Sequence, residues 1–424
     1  MSQLSFSEGV ALAVDLGTTT IAAALIDTCT GEQLAAGGCL NPQRVFGADV
    51  VTRLSVAAES FHKSREMCRL INEELERVAL ALLAEADRSL EELSCVAIAG
   101  NPAMEHLLLG LPVDSLARIP YRPLFTEGKT IRTSELGWSI DMEAYIFPLP
   151  GGFVGGDLIA FLYGQFPDMR HQGGDPRLFL DLGTNAEIAL SAGDIVYATS
   201  AAAGPAFEGG NLSCGMAALT GAISSVKCGC DRVSISTIGN TLPVGLCGSG
   251  AISAIVALLD SGVLAKDGRL RSPSEVASNL ANRLVERNGA QAFLLHRDAA
   301  REIVLTQDDI RQVQLAMGAV RAGIEVLLER AGHGWQSVGE ILVTGSFGAV
   351  LLPEILKSIG IVPPDMVERV RFIEEGALSG CKKLLSGKEG AVSVAALAGA
   401  VRVVPLSGNP RFEKLYLSCM NFPP

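Results

Sequence analysis

The sequence VDLGTTT at residues 14–20 is closely matched by LDLGTN at residues 180–185, near the middle of the chain. Each copy follows one apolar run and precedes another, which is the pattern of two β-strands joined by a tight turn. A single Asp-x-Gly turn is common for purely structural reasons. Two nearly identical copies instead indicate a duplicated functional turn, so the sequence predicts two β-hairpins with equivalent roles.

The residue types in these two turns suit polyphosphate binding. Glycine lets backbone N–H groups approach a phosphate, while hydroxyl and amide side chains add hydrogen bonds. A carboxylate just before the turn can hold Mg²⁺, usually through water. We therefore expect Asp15 and Asp181 to be catalytic residues that organise Mg²⁺. The predicted phosphate-binding residues are Gly17, Thr18, Thr19, Thr20, Gly183, Thr184 and Asn185.

The composition fits two α/β domains. The chain has 424 residues, of which 48% are hydrophobic and 19% charged, with 46 Gly. Such values are typical of layers whose strands are buried on both faces. Prolines and glycine pairs around residues 148–156 predict one boundary, with a first domain at 1–150 and a second at 151–424. The polar stretch at about 265–305 is predicted to be a helical insertion.

Three further glycine motifs lie in the predicted second domain. The sequence AGPAFEG at residues 203–209 contains Gly204, and CGSG at residues 247–250 contains Gly248 and Ser249 before an apolar helical run. These three residues are predicted to contact ATP. The small residues of that run suit either close packing between domains or a structural helix start. The sequence ILVTGSFG at residues 341–348 predicts a buried strand and a turn suited to adenosine. Its predicted ligand contacts are Gly345, Ser346, Phe347 and Gly348.

A helix is predicted to begin at Thr306, which forms a capping box with Asp309. Gly318 lies inside this helix, where glycine costs about 1 kcal/mol relative to alanine. Something is therefore expected to pack closely there. Two interpretations are open, a nucleotide base beside Gln314 and Gly318, or ordinary helix packing.

Charge and cysteine usage exclude several classes of protein. A formal net charge of −12 disfavours nucleic acid as a partner. No apolar run reaches the 18 to 20 residues or so that a membrane span needs, and the start of the sequence lacks a signal-peptide pattern, so a cytoplasmic location is expected. Cys228 and Cys230 form the only close cysteine pair, and two ligands without a second pair make a poor metal site.

The order of phosphate turn, helix, second phosphate turn, second helix and adenosine turn resembles the actin/sugar-kinase/heat-shock ATPase (ASKHA) superfamily. That resemblance implies a duplicated, ribonuclease H-like α/β fold with an interdomain nucleotide cleft. More narrowly, nearly the whole chain resembles the ATPase portion of the reductive activators of corrinoid enzymes. The motifs that carry this resemblance are VDLGTTT (14–20), NPQ (41–43), GADV (47–50), GN (100–101), GGFVG (151–155), DLGTNAE (181–187), AGPAFEG (203–209) and GLCGSG (245–250).

The resemblance implies an ATPase that helps to reduce a Co(II) corrinoid protein to Co(I) in a methyltransferase system. It also implies binding of ATP and Mg²⁺, dimerisation, and a corrinoid protein as partner. No cysteine precedes Cys29, so the C-x₄-C-x₂-C pattern of a plant-type [2Fe–2S] domain is missing from this sequence. We therefore expect no iron–sulfur cluster in this chain and a separate ferredoxin-like electron donor. Glu187 and Glu208 are the candidates to orient the attacking water, with a structural salt bridge as the alternative for each.

Other functions remain open at this point. A small-molecule kinase uses the same fold, and a nucleotide-gated binding module would bind ATP without turnover. The activators of 2-hydroxyacyl-CoA dehydratases share the fold and hold one [4Fe–4S] cluster between two subunits. Cys247 resembles one of their ligands, but the next cysteine is Cys381, too far along the chain for the expected second ligand.

Overall fold

The computed structural model describes residues 9–166, 174–229, 231–287, 289–345, 353–387 and 390–423. The chain divides into two compact units, and each consists of three segments. The first unit comprises Met1–Gly174, Gly193–Ala198 and Glu375–Val403. The second comprises Asp175–Ala192, Thr199–Glu374 and Val404–Pro424. This division differs from the predicted single boundary at residue 150.

The elements are numbered in chain order. Before residue 170 they are β1 (Val10–Leu16), β2 (Thr20–Asp27), β3 (Gln33–Leu40), α1 (Val50–Glu59), α2 (Phe61–Glu85), β4 (Leu93–Gly100), α3 (Pro102–Leu108), α4 (Asp114–Ala117), β5 (Lys129–Arg132), β6 (Glu143–Ile146) and α5 (Gly156–Gln165). After it they are β7 (Arg177–Leu182), β8 (Ala186–Ala192), β9 (Ile195–Ala201), β10 (Ala222–Cys228), β11 (Val233–Thr237), β12 (Gly245–Leu246), α6 (Gly248–Asp260), β13 (Leu284–Arg287), β14 (Ala290–Arg297), β15 (Glu302–Thr306), α7 (Gln307–Ala331), β16 (Glu340–Thr344), α8 (Pro353–Ser358), β17 (Val370–Phe372), α9 (Gly376–Ser386), α10 (Gly390–Ala400), β18 (Val401–Val403) and α11 (Pro410–Cys419).

The first unit is built on a six-stranded sheet with the strand order β3-β2-β1-β4-β6-β5. The central strand β1 runs antiparallel to β2 and parallel to β4, and its apolar side chains are almost fully buried. Helix α2 covers one face of the sheet with a stripe that includes Met67, Ile71 and Leu75. Helices α1 and α2 are separate although only Ser60 lies between them, because the Ser60 hydroxyl caps a new helix by accepting from the Lys63 N–H.

Helices α5 and α9 cross closely within the first unit. A Cβ added to Gly380 would lie 1.8 Å from the Ala160 carbonyl oxygen, and one added to Gly164 would lie 2.4 Å from Ser379 Oγ. Only glycine therefore permits this approach of the two helices. Lys383 of α9 also donates to the Tyr163 carbonyl at 2.7 Å. These contacts bring two helices from beyond residue 150 into the first unit.

In the second unit, strand β7 pairs antiparallel with β8 and parallel with β16, which pairs in turn with β17. Helix α7 begins with the predicted capping box, in which the Thr306 hydroxyl accepts from the Asp309 N–H at 3.1 Å. Helix α6 packs on β10, where a Cβ on Gly250 would lie 2.0 Å from the Ile223 carbonyl oxygen. The structural interpretation of the CGSG motif therefore accounts for its small residues.

The predicted helical insertion at about 265–305 is wrong. The described part of this segment contains the antiparallel sheet β13-β14-β15 and two short 3₁₀ turns, and no α-helix. Gly289 lies between strands β13 and β14 and has a φ of +78°. Asn-Gly is the preferred sequence of a two-residue hairpin turn. The dipeptide at residues 288–289 is therefore a sequence signal for a β-hairpin, and the polar composition of the segment wrongly favoured a helix.

None of the helices in the described part of the chain has both the length and the apolar character needed to cross a bilayer.

Candidate functional site

The first predicted turn joins β1 to β2, as expected for a hairpin. Asp15 lies opposite Ala22 in the antiparallel register, and Gly17 sits in a turn where an added Cβ would lie 2.4 Å from the Thr20 carbonyl oxygen. Glycine is therefore required at residue 17 by the turn itself. We call residues 15–20 the first turn.

Two asparagines hold the first turn from outside it. The Asn101 side-chain amide donates to Thr18 Oγ1 at 2.9 Å, and the Asn41 amide donates to the Gly17 carbonyl at 2.9 Å. The Asn41 backbone N–H also donates to the Thr19 carbonyl at 2.9 Å. Both asparagines belong to motifs noted in the sequence, NPQ and GN, but nothing in the sequence assigns them this role.

Two acidic residues, Glu105 and Asp157, lie near the Gly100–Asn101 segment of the first unit. Glu105 in α3 is fully buried, and one of its oxygens accepts from the Gly100 N–H at 3.1 Å. Its other carboxyl oxygen has no hydrogen-bond partner among the described residues. Burial raises the pKa of Glu105 well above its usual value, with a smaller contribution from Asp157. Burial also raises the pKa of Asp157, at the start of α5, to about 6.

The second predicted turn joins β7 to β8, and here two acidic residues lie at opposite positions of the strand pair. Asp181 lies opposite Glu187 in the antiparallel register and beside Thr344 in the parallel pairing with β16. Directly opposite residues of an antiparallel pair share one face of the sheet, and like charges at such positions repel. A divalent cation would relieve that repulsion, and oxygen ligands are those Mg²⁺ prefers. Residues 181–186 are the second turn.

Several other predicted residues gather at the second turn. The Gly204 N–H donates to the Thr184 carbonyl at 2.8 Å, and the Gly183 N–H donates to the Asn185 carbonyl at 3.2 Å. The Thr184 hydroxyl donates to Glu208 at 2.5 Å. The Ser200 hydroxyl donates to Glu187 at 3.2 Å. The structure thus brings together Asp181, Gly183, Thr184, Asn185, Glu187, Gly204 and Glu208.

Gly345, at the end of β16, also contacts the second turn. It has a φ of +104°, and an added Cβ would lie 2.8 Å from Asp181 Oδ1 and 2.5 Å from the Leu182 carbonyl oxygen. A side chain at residue 345 would therefore distort the second turn whether or not adenosine approaches it. The other predicted adenosine residues, Ser346, Phe347 and Gly348, lie outside the described residues.

Helix packing accounts for Gln314 and Gly318. The Gln314 amide donates to the Asp267 carbonyl at 3.1 Å and the Met420 carbonyl at 2.9 Å. A Cβ on Gly318 would lie 3.0 Å from Met420 Cγ and 3.4 Å from Tyr416. The C-terminal helix α11 and the residues after it occupy the space beside Gln314 and Gly318, which favours the helix-packing interpretation of the two residues.

Gly248 and Ser249 form the start of α6. The Cys247 thiol donates to the Ile223 carbonyl at 3.2 Å and lies 3.3 Å from the Ser249 hydroxyl. These contacts are local, and the structure gives the motif a packing role.

Among the residues that the structure describes, no group of three or more His, Cys, Asp or Glu is arranged to hold a metal ion. Cys228 ends β10 and Cys230 lies outside the described residues.

Comparison with known proteins matches nearly all of this chain. Residues 175–424 match the C-terminal domain of RACo, described as the ASKHA domain, and residues 10–168 match the RACo middle region. The chain belongs to the RACo family. The ASKHA fold and the resemblance to reductive activators are therefore confirmed.

Three RACo relatives illustrate the match. The corrinoid activation enzyme RamQ of Eubacterium limosum is 32% identical over 414 residues, covering 96% of this chain and 69% of RamQ. A [Co(II) methylated amine-specific corrinoid protein] reductase of Methanosarcina barkeri is 25% identical over 394 residues, which cover 85% of this chain and 67% of the reductase. The solved structure of a reductive activator for corrinoid, iron–sulfur protein aligns with a TM-score of 0.86 and 26% identity, over all of this chain and 67% of that one.

Proposed function

We propose that this RACo-family chain uses ATP to drive the reductive activation of a corrinoid protein, from Co(II) to Co(I), in a methyltransferase system. The observation that supports it best is the pair of equivalent hairpin turns, each with an aspartate at the end of its first strand, in a chain whose relatives activate corrinoid proteins. The electron comes from a separate ferredoxin-like donor, and the chain acts as a homodimer in the cytoplasm.

The first and second turns bind the phosphates of ATP in this proposal. Backbone N–H groups and the hydroxyls of Thr18 and Thr19 are suited to phosphate oxygens. Asp181 and Glu187 share one sheet face and supply the oxygen donors that Mg²⁺ requires, with Asp15 at the equivalent place on β1. Bound Mg²⁺ would neutralise charge on the phosphate oxygens. Glu208 holds the Thr184 hydroxyl in place.

ATP acts on the partner through a difference in affinity. A nucleotide shifts an equilibrium only as far as it binds two states differently. We therefore expect the ATP-bound chain to bind the Co(II) corrinoid protein with a different affinity from the ADP-bound chain. That difference supplies the free energy that makes cobalt reduction accessible to a low-potential donor.

The test follows cobalt by visible absorption under anaerobic conditions. The full chain is mixed with a candidate Co(II) corrinoid protein, a low-potential chemical donor and Mg-ATP, and each component is omitted in turn. We expect Co(I) only with ATP and donor together, and no Co(I) with Asp181→Asn. Co(I) formation that is indifferent to ATP would contradict the proposal. Stoichiometric iron and sulfide in the purified chain would contradict the part of it that assigns the electron to a separate donor.

A further inference from the structure

Two loops of the first unit expose apolar side chains to which the proposed function gives no role. Ile119 is 79% exposed and Leu124 is 53% exposed in one loop, and Phe153 is 46% exposed in the other. Single exposed apolar side chains are normal on a protein surface, whereas a contiguous group of them marks an interaction site. The contacts between the two loops decide which case applies.

The two loops are in direct contact. The centroid of the Tyr121 ring lies 4.8 Å from that of the Phe153 ring. A Cβ added to Gly152 would lie 1.7 Å from the Tyr121 carbonyl oxygen, so only glycine permits this approach of the loops. Tyr121 and Phe153 therefore join the two loops into one surface, which we call the loop surface. Its apolar members are Ile119, Tyr121, Leu124 and Phe153.

Helix α3 holds the first of these loops in place. The Leu124 N–H donates to His106 Nε2 at 3.0 Å, and the His106 ring stacks on Phe125 with the centroids 5.5 Å apart. Because Nε2 accepts a hydrogen bond, the imidazole proton is on Nδ1, which donates to the Pro102 carbonyl at 2.7 Å. Burial favours this neutral form by lowering the pKa of His106. A surface that is held in this way loses little conformational entropy when a partner binds.

Helix α3 also connects both loops to the first turn. A Cβ added to Gly155, at the end of the second loop, would lie 2.5 Å from the Gly100 carbonyl oxygen and 2.6 Å from Asn101 Cα. Asn101 caps α3 and donates to Thr18 in the first turn at 2.9 Å. The segment from Gly100 to His106 therefore contacts a proposed phosphate-binding residue as well as both loops.

The charged residues of the loop surface are positive, although the net charge of the chain is −12. Arg118 and Arg122 are exposed in the first loop, and no acidic residue lies between Ser115 and Thr126. Such a surface attracts a partner that carries carboxylates around an apolar centre. A second copy of this chain is disfavoured, because a two-fold contact would set each arginine-bearing loop against its own copy. An anionic membrane is disfavoured as well, because it repels the negative charge on the rest of the chain.

We propose that the loop surface is where the corrinoid protein of the proposed function docks, through an apolar patch bordered by acidic residues. Ile119, Leu124 and Phe153 contact the apolar patch of the partner, and Arg118 and Arg122 pair with its carboxylates. Helix α3 transmits the state of the first turn to this contact, so that the ATP-bound and ADP-bound chains bind the partner with different affinities. The inference rests on the proposed function and names the surface that serves it.

The experiment measures the dissociation constant between the full chain and a Co(II) corrinoid protein that the parent chain binds, with Mg-ATP and without an electron donor. Ile119→Asp places a carboxylate within the loop surface, and we expect it to weaken binding by at least about tenfold. Arg118→Glu combined with Arg122→Glu should also weaken binding by at least about tenfold and reduce its dependence on salt. ATP hydrolysis without the partner should stay within about twofold of the parent chain in both variants.

Leu242→Asp is the matched control. Leu242 is 78% exposed, nearly as much as Ile119, and it lies in the second unit. The substitution removes the same kind of apolar side chain and adds the same charge outside the loop surface, so binding should stay within about twofold of the parent chain. If Ile119→Asp does not fold, Leu124→Asp gives the same test, because the bond from Leu124 to His106 uses the backbone N–H.

Three results would overturn the assignment of the loop surface. The first is binding within about twofold of the parent chain by either Ile119→Asp or the double arginine variant. The second is a change of oligomeric state in Ile119→Asp, which would assign the surface to a second copy of the chain. The third is binding of the parent chain to phosphatidylserine vesicles that Ile119→Asp abolishes, which would assign the surface to a membrane. Failure of the proposed function is distinct, because the parent chain would then form no Co(I) with ATP and donor, whatever the effect of Ile119→Asp on binding.

Discussion

At the residue scale, the two turns share a sequence motif but differ in the side chain opposite the aspartate. Asp15 faces Ala22, whereas Asp181 faces Glu187. The second turn therefore concentrates two carboxylates on one face, and it also carries Glu208 against Thr184. The second turn therefore offers more oxygen donors to a Mg²⁺ ion than the first turn does. The two aspartates should consequently respond differently to substitution.

We predict that Asp181→Asn lowers ATP hydrolysis by at least about a hundredfold and Asp15→Asn by at least about tenfold, because metal positioning is lost. The half-saturating Mg²⁺ concentration should rise more for Asp181→Asn than for Asp15→Asn. Phosphate release titrated with Mg²⁺ at saturating ATP measures both effects. Unchanged activity in both variants would show that neither turn holds the metal.

The enclosed carboxyl of Glu105 gives a prediction about stability. The pKa of Glu105 in the folded chain lies well above its value in the unfolded chain. The protonated carboxyl therefore contributes its full stabilisation below the unfolded pKa, and this contribution is lost as pH rises through the folded pKa. Glutamine keeps an oxygen for the Gly100 N–H but cannot ionise. Glu105→Gln should therefore be at least as stable as the parent chain at pH 8, with a smaller advantage at pH 5.

Urea denaturation of the parent chain and Glu105→Gln at the two pH values measures this difference. Asp87→Asn, at an exposed position, should show none. A Glu105→Gln variant that is less stable than the parent at pH 8 by more than about 1 kcal/mol would mean that the ionised carboxylate stabilises the fold.

At the element scale, helices α5 and α9 cross at close range. It depends on Gly164 and Gly380, which lie 216 positions apart in the sequence, and on a backbone approach that leaves no space for a methyl group at residue 380. Overpacking of a close contact forces backbone shifts that typically cost about 1 to 3 kcal/mol. The glycines in this crossing are therefore structural.

We predict that Gly380→Ala lowers the free energy of unfolding by about 1 to 3 kcal/mol, because its Cβ would meet the Ala160 carbonyl oxygen at 1.8 Å. The matched control is Gly399→Ala in α10, where no atom of the described residues lies within 4 Å of the added Cβ. Alanine should stabilise that helix by up to about 1 kcal/mol. Chemical denaturation of both variants measures the difference, and equal effects would contradict the proposed close crossing.

Local patterns in the sequence predict local structure well in this chain. The two hairpins follow from a glycine turn between apolar runs, and the start of α7 follows from Thr306 and Asp309. Contacts between distant segments carry no such pattern. The packing of Gly318 against α11 and the Asn101 contact with Thr18 both depend on chain segments whose meeting is decided by the whole fold. The candidate site is accordingly predicted in its turns and missed in its supporting residues.

At the scale of the whole molecule, each compact unit draws on three separate segments of the chain. The first unit needs residues 375–403 in addition to its N-terminal segment, and the Cys381 thiol donates to the Val14 carbonyl at 3.4 Å across a sequence separation of 367 residues. Helix α9 thereby covers the sheet that contains β1 and β4. The first unit therefore depends on residues near the C-terminus of this sequence.

We predict that a fragment ending at residue 374 fails to fold its first unit. Without α9 and α10, apolar side chains on β1, β4 and α5 would be exposed to water. Limited proteolysis should cut this fragment within β1 to β4 under conditions in which the full chain resists cleavage. Protection of those strands in the fragment equal to that in the full chain would show that the N-terminal segment folds without α9.

The same interleaving of segments affects events on the ribosome. Synthesis proceeds at about 5 to 20 residues per second, so β1 waits roughly 20 to 70 s before Cys381 is made. During that interval the growing polypeptide holds an incomplete sheet with an uncovered apolar face, which is the kind of surface that chaperones bind and that aggregates when they are scarce. Overproduction should therefore yield more folded protein when translation is slowed or when chaperones are supplied.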